Sequence, residues 1–153
     1  MSPEPKSSFQ VIAENRTARH NFFILETIEA GIELLGSEVK SIRQGSVSLK
    51  EGYAHVDRGQ VFLEGVHIAP YEFASASLSP VRPRRLLLHK REISRLGAEV
   101  KERRLTLVPL RIYFKKGMAK IELGLAKGKK LHDKREAIKE RETRRELARV
   151  KSG

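Results

Sequence analysis

The chain has 153 residues, 39% of them hydrophobic, no cysteine and a formal net charge of +12. That length suits one modest core with tails, and the lack of cysteine excludes disulfides and thiolate metal sites while fitting a reducing cytoplasm. A pI near 10.2 points to a polyanion; RNA or DNA is preferred over an anionic membrane, because no basic stretch carries an apolar stripe to insert and no apolar run reaches the roughly 18–20 residues of a membrane span.

In chain order, residues 1–8 read as a disordered lead-in without a signal-peptide pattern, 9–126 as one domain and 127–153 as a basic tail. From Phe9 to Leu35 the sequence alternates as a strand does. Phe22, Ile24, Ile28, Ala30, Ile32 and Leu34 fall on one face, and Thr27, Glu29 and Glu33 on the other. Gly31 predicts a bulge or barrel bend, and residues 15–20 (Asn-Arg-Thr-Ala-Arg-His) form a polar, basic patch within or beside the first strand. Residues 37–45 predict a short helix capped by Ser37 and ended by Gly45, with Val39 and Ile42 inward and Lys40 and Arg43 outward. Tyr53 to Glu64 predicts a hairpin turning at Arg58-Gly59, and Val66 to Ile68 extends it or adds a strand.

Prolines 70, 80 and 83 make 71–85 an irregular loop, its basic end Arg82-Pro-Arg-Arg85 exposed. Residues 89–103 predict a second helix burying Ile93, Leu96 and Val100 and leaving Lys90, Arg91, Arg95 and Lys101 for solvent or phosphate. Two strands follow. Leu105–Phe114 carries an even apolar face of Val108, Leu110, Ile112 and Phe114, with Pro109 marking an edge or bulge. After a tight Lys115-Lys-Gly117 connection, Met118–Ala126 places Ala119, Ile121, Leu123 and Leu125 inside and Lys120 and Glu122 outside. Short antiparallel strands, two or three short helices and no βαβ rhythm imply a mainly β fold, a small OB-type barrel.

From Lys127 to Lys151 the tail holds 11 Lys and Arg against five acids, half of the chain's net charge. Asp133 and Glu136 read as a capping box, and Glu136–Lys139, Glu140–Arg144 and Glu146–Arg149 sit at helix-supporting spacings. With almost no apolar face, such a helix is marginal alone, so the tail is expected to be disordered when free and helical on a polyanion.

Catalysis finds little support. His20, His55, His67, His89 and His132 have no metal-ligand spacing, and neither a P-loop nor a nucleophile elbow is present. No cofactor is implied, and a nuclease using His20 or His132 is a reading that predicts cleavage of bound RNA. For RNA, the basic residues supply phosphate contacts, His20, His89 and Tyr53 could stack on bases, and Asn15 and Glu29 could make directed hydrogen bonds.

Several segments together resemble the SmpB family, the SsrA-binding proteins of bacterial trans-translation. They are Asn15 to His20, Glu29 to Ile32, Gly36 to Arg43, Arg85 to His89, and Gly124-Leu-Ala-Lys-Gly-Lys-Lys-Leu-His-Asp-Lys-Arg135. The resemblance spans about Val11 to Val150. It implies an OB-type barrel that binds the tRNA-like domain of transfer-messenger RNA and delivers it, with elongation factor Tu and GTP, to a stalled 70S ribosome. The tail would enter the empty mRNA channel. Carried over by motif, Asn15, Arg19, His20, Glu29, Leu87 and His89 would form the RNA face, with Lys90 and Arg91 beside them. Lys127, Gly128, Lys129, Lys130, His132, Asp133, Lys134 and Arg135 would act on the ribosome. The implied protein is a cytoplasmic monomer with no membrane partner and no enzymatic activity. Position 89 is Asn in some members and His in this chain, and Thr143 to Val150 lacks the aromatic or methionine some members carry there. The alternative is a general OB-type RNA-binding or ribosomal protein whose tail is an electrostatic anchor.

Overall fold

The computed structural model describes residues 9–71 and 79–129. Nine strands are described: β1 (Phe9–Glu14), β2 (Phe22–Ile32), β3 (Val47–Ser48), β4 (Tyr53–Asp57), β5 (Gln60–Glu64), β6 (His67–Ile68), β7 (Arg84–Leu87), β8 (Thr106–Lys115) and β9 (Met118–Gly128). Three helices join them: α1 (Arg16–Asn21), α2 (Gly36–Arg43) and α3 (Lys90–Arg103). The main sheet runs β1-β8-β4-β5-β7-β2-β9, and β8 also pairs with β9. That second pairing closes six strands into a ring with β1 attached outside on β8. The result is the OB-type barrel the alternating strands imply, and closure removes most of the free edges an open sheet would leave.

The two glycine turns form as expected. Arg58 (φ 52°) and Gly59 (φ 74°) link β4 to β5, and Lys116 (φ 50°) and Gly117 (φ 78°) link β8 to β9. Two positive φ values in a two-residue turn are the type I′ geometry, whose twist matches that of the strands. Residues 66–68 add a strand, β6, which pairs with β3. The inward set of β9, with Ile121, Leu123 and Leu125 buried, follows the alternation.

Elsewhere tertiary geometry redirects the chain. Residues 16–21 are helical rather than extended. Asn15 is the N-cap, its side-chain oxygen accepting from the Ala18 amide at 3.0 Å. In β2 the register slips between Ile24 and Glu26, so the bulge is there and not at Gly31. Gly31 instead lies between two partners, Leu87 of β7 and Lys120 of β9, where an added Cβ would stand 3.2 Å from that of Leu87. Helix α2 starts at Gly36 with Leu35 at the N-cap. Glu38, not Ser37, completes its first turn, its carboxylate accepting from the Leu35 N–H at 3.0 Å. Its end is as expected: Gly45 (φ 79°) donates to Ile42 and Ser46 to Ser41, the paired bonds of a Schellman motif.

The even face of β8 does not stay on one side. Pro109 cannot donate to a ladder, and β8 has partners on both edges, so the strand bulges between Pro109 and Arg111. The slip divides the apolar residues. Leu105, Leu107, Ile112 and Phe114 enter the main core, while Val108 and Leu110 join Ala18 and Ala126 in a smaller core covered by Phe22 and Ile24. Fully burying one such leucine contributes about 1.5–3 kcal/mol, so the second core is what seats α1 on the barrel.

The basic run at 82–85 is not an exposed loop end. Residues 84–87 form β7, and Arg84 is only 1% exposed. Its guanidinium donates to Glu38 Oε2 at 2.7 and 3.0 Å, to the Val66 carbonyl at 2.7 Å and to the Pro80 carbonyl at 3.0 Å. Arg82 reaches the same carboxylate from its wetter side. Among the described residues, no helix is long and apolar enough to cross a membrane.

Candidate nucleic-acid interface

Strand register assembles the site. Glu29 and Gly31 lie two apart on β2; Glu29 is exposed and faces Glu122 across β9, and Gly31 faces Lys120 on one side and Leu87 on the other. Leu87 is 47% exposed although it belongs to a strand, and two residues later His89 is the exposed N-cap of α3. Helix α3 therefore starts at the edge of this face. The Glu92 carboxylate accepts from the His89 N–H at 3.2 Å, which leaves the imidazole outside the helix, and His89, Lys90 and Arg91 line a shallow recess with Glu92. Gly31 and Leu87 are thus register partners, and His89, Lys90 and Arg91 share the recess at the start of α3.

Two like charges sit side by side in register at Glu29 and Glu122, and separate sets of donors hold them. Arg19 of α1 and Arg111 of β8 each approach Glu122 at 3.4 Å. Glu29 accepts the Tyr113 hydroxyl and has the Lys115 ammonium 3.4 Å from both its oxygens. The Tyr113 bond is the largest influence on Glu29 and outweighs partial burial, holding its carboxyl below the usual range. Burial, then Glu29 itself, pushes the Tyr113 phenol up, so it stays protonated as a donor. Tyr113 is absent from the residues the sequence singles out. Its one signal there is position, an aromatic on the odd, polar side of β8.

The remaining expected residues divide. Arg19 and His20 are exposed on α1. Asn15 is 3% exposed and turned inward, its amide donating to the Leu49 carbonyl at 3.0 Å and the Pro109 carbonyl at 2.9 Å. Both amide hydrogens are used within the protein, so the side chain positions α1. Asn15→Ala removes a cap and two buried hydrogen bonds to backbone carbonyls, of which that of Leu49 keeps the Gly52 amide as a donor. A destabilisation of about 2–3 kcal/mol is expected by denaturant titration, a loss under about 0.5 kcal/mol contradicting this role. Arg95, expected to be available to solvent or phosphate, is exposed and paired with Glu26 at 2.6 and 3.0 Å. Lys127 and Gly128 are the last residues of β9, opposite Phe23 and Phe22, and Lys129 donates its amide to Asn21 at 2.7 Å. Lys130, His132, Asp133, Lys134 and Arg135 lie outside the described residues, as does the expected tail helix.

A closed six-stranded barrel with exposed cations and histidines is an OB-type architecture, a class that binds nucleic acids. Comparison makes this specific. The model of the SmpB protein family matches residues 12–152, and the chain belongs to that family. It is 55% identical over 145 residues to the SsrA-binding protein of Acetivibrio thermocellus, covering 94% of each chain. To that of Desulforudis audaxviator it is 51% identical, over 100% of this chain and 99% of the relative. A chain in the solved structure described as "tmRNA-SmpB: a journey to the center of the bacterial ribosome" superimposes with a TM-score of 0.65. It is 54% identical, with 76% of this chain and 83% of that one covered.

Proposed function

We propose that the chain binds the tRNA-like domain of transfer-messenger RNA on the face formed by β2, β7, β9 and the start of α3, and delivers it to ribosomes stalled without a stop codon. The observation that carries this is the pairing of two distant segments in a member of the SmpB family: Gly31, two residues beyond the exposed Glu29, lies opposite the exposed Leu87, and His89 follows two residues later. Cations alone would hold any RNA, since phosphate contacts carry no sequence information. A carboxylate repels the RNA backbone unless it meets a base or ribose donor, so Glu29 on a basic chain argues for selectivity.

Arg19, His20, Lys90 and Arg91 contribute phosphate contacts, and the Leu87 side chain and His89 ring pack against exposed bases or sugars. The tail from Lys127 through Gly128, Lys129, Lys130, His132, Asp133, Lys134 and Arg135 acts on the ribosome, at the decoding centre and along the mRNA path. The protein works by binding, without a cofactor or chemistry of its own. It acts in the cytoplasm as a monomer, joined during delivery by elongation factor Tu with GTP. In a bacterial translation extract depleted of its own SmpB-family protein, adding this chain with transfer-messenger RNA restores tagging of products from a message lacking a stop codon. Failure to restore tagging in an otherwise active extract contradicts the proposal.

A further inference from the structure

We infer that Tyr113 is the positioning residue of this RNA face, orienting the Glu29 carboxylate so that it selects a base or ribose donor. This deepens the function proposed above and rests on it. The Tyr113 ring has little freedom. The residue is 3% exposed, its ring centroid is 4.8 Å from that of Phe9, and the Arg111 guanidinium lies 5.3 Å over it. The ring is therefore fixed in the sheet between β1 and the Arg111–Glu122 pair, and its hydroxyl reaches Glu29 Oε2. Among the described residues, Oε1 is left with only the Lys115 ammonium at 3.4 Å, open to an amino or imino group of an unpaired base or to a 2′-hydroxyl.

A tyrosine does what a second cation could not. An arginine in its place would neutralise the carboxylate and occupy both oxygens as a fork. A neutral phenol sets the direction and leaves the charge for the ligand. Among the described residues, the charged and titratable groups facing Glu29 are Tyr113 and Lys115 of β8 and Lys120 and Glu122 of β9, with His89 following two residues after Leu87, the β7 partner of Gly31. Tyr113 is the strongest of the hydrogen-bonding partners and also the most buried of the four.

The test is a double-mutant cycle on the full chain, read by fluorescence anisotropy of a labelled tRNA-like domain. Tyr113→Phe keeps the ring against Phe9 and deletes one hydroxyl. It is expected to weaken binding about tenfold in the otherwise native chain, the range of one hydrogen bond to a charged group. In a Glu29→Ala background the same change is expected to cost less than about twofold, because no carboxylate remains to be oriented. Within each background, Tyr113→Phe leaves binding to a single-stranded homopolymer unchanged, since it alters no charge. Binding of the native chain fades as pH falls through the depressed Glu29 value, and in Tyr113→Phe that acid limb moves to higher pH, which a purely structural ring would not cause. An equal loss in both backgrounds, or a loss for Glu29→Ala with none for Tyr113→Phe, overturns the positioning role and leaves the RNA reading intact. No effect of Glu29→Ala overturns it as well, and if the native chain fails to distinguish the tRNA-like domain from homopolymer, both fall.

Discussion

Glu38→Ala is expected to destabilise the protein by about 3–5 kcal/mol, the cost of leaving a buried charge without its partner. Arg84 and Glu38 are 1% and 5% exposed at their side chains, and among the described residues Glu38 is the one carboxylate that meets Arg84. Burial opposes ionisation at Glu38, and Arg82, the Leu35 amide and Arg84 together outweigh it, leaving the carboxyl below its usual value. Burial also lowers Arg84, yet a guanidinium stays protonated at any working pH. The charge is therefore stranded once the carboxylate is gone. Arg82 is 29% exposed, so Arg82→Ala is expected to cost about 1 kcal/mol or less. Replacing both buried members with apolar residues, Glu38→Leu with Arg84→Met, is expected to recover most of the loss.

The pH sign follows from the depressed value. Glu38 contributes its stability above the unfolded carboxylate pKa, about 4.3, and loses it as pH falls through the lower folded value. Acid unfolding of Glu38→Ala is accordingly less pH-dependent in that window. Urea titration of the three variants decides the matter. A loss for Glu38→Ala no larger than for Arg82→Ala would mean that the pair is hydrated and does not join α2 to β7.

Asp133→Arg is expected to abolish tagging while leaving binding to the tRNA-like domain unchanged. Asp133 lies outside the described residues, so its two roles are separated by substitution. As a helix cap alone, Asp133→Asn would be nearly silent, because asparagine caps equally well. As a residue that contacts ribosomal RNA or orients the neighbouring Lys134 and Arg135, reversal of its charge disrupts delivery at a step after RNA binding. Normal tagging by Asp133→Arg in the depleted extract contradicts an active role for this part of the tail.

Which features could be read from the sequence depended on the range of their causes. The hairpin turns at Arg58-Gly59 and Lys116-Gly117, the buried face of β9 and the end of α2 at Gly45 are local, and each follows from a few adjacent residues. Helix α1 gives almost no periodic signal, because Ala18 is its only apolar residue; it exists because Asn15 caps it and β8 and β9 cover it. Arg84 looks exposed by composition. What buries it is Glu38, 46 residues earlier. The division of β8 into two cores follows from one register slip at Pro109, which moves Val108 and Leu110 away from their expected companions. The candidate site divides the same way: family motifs indicate Glu29, Leu87 and His89, while the Tyr113–Glu29 bond emerges only once β9 lies between β8 and β2.

Selective recognition by the barrel face is the central claim. Its most direct test is anisotropy of a labelled tRNA-like domain of transfer-messenger RNA, titrated with the full chain at fixed, near-physiological salt against bulk tRNA and a single-stranded homopolymer. The predicted result is a complex that neither competitor displaces at equal nucleotide concentration. Equal displacement by either would mean that the +12 net charge acts alone, and the protein would then be a general RNA-binding barrel with an electrostatic tail.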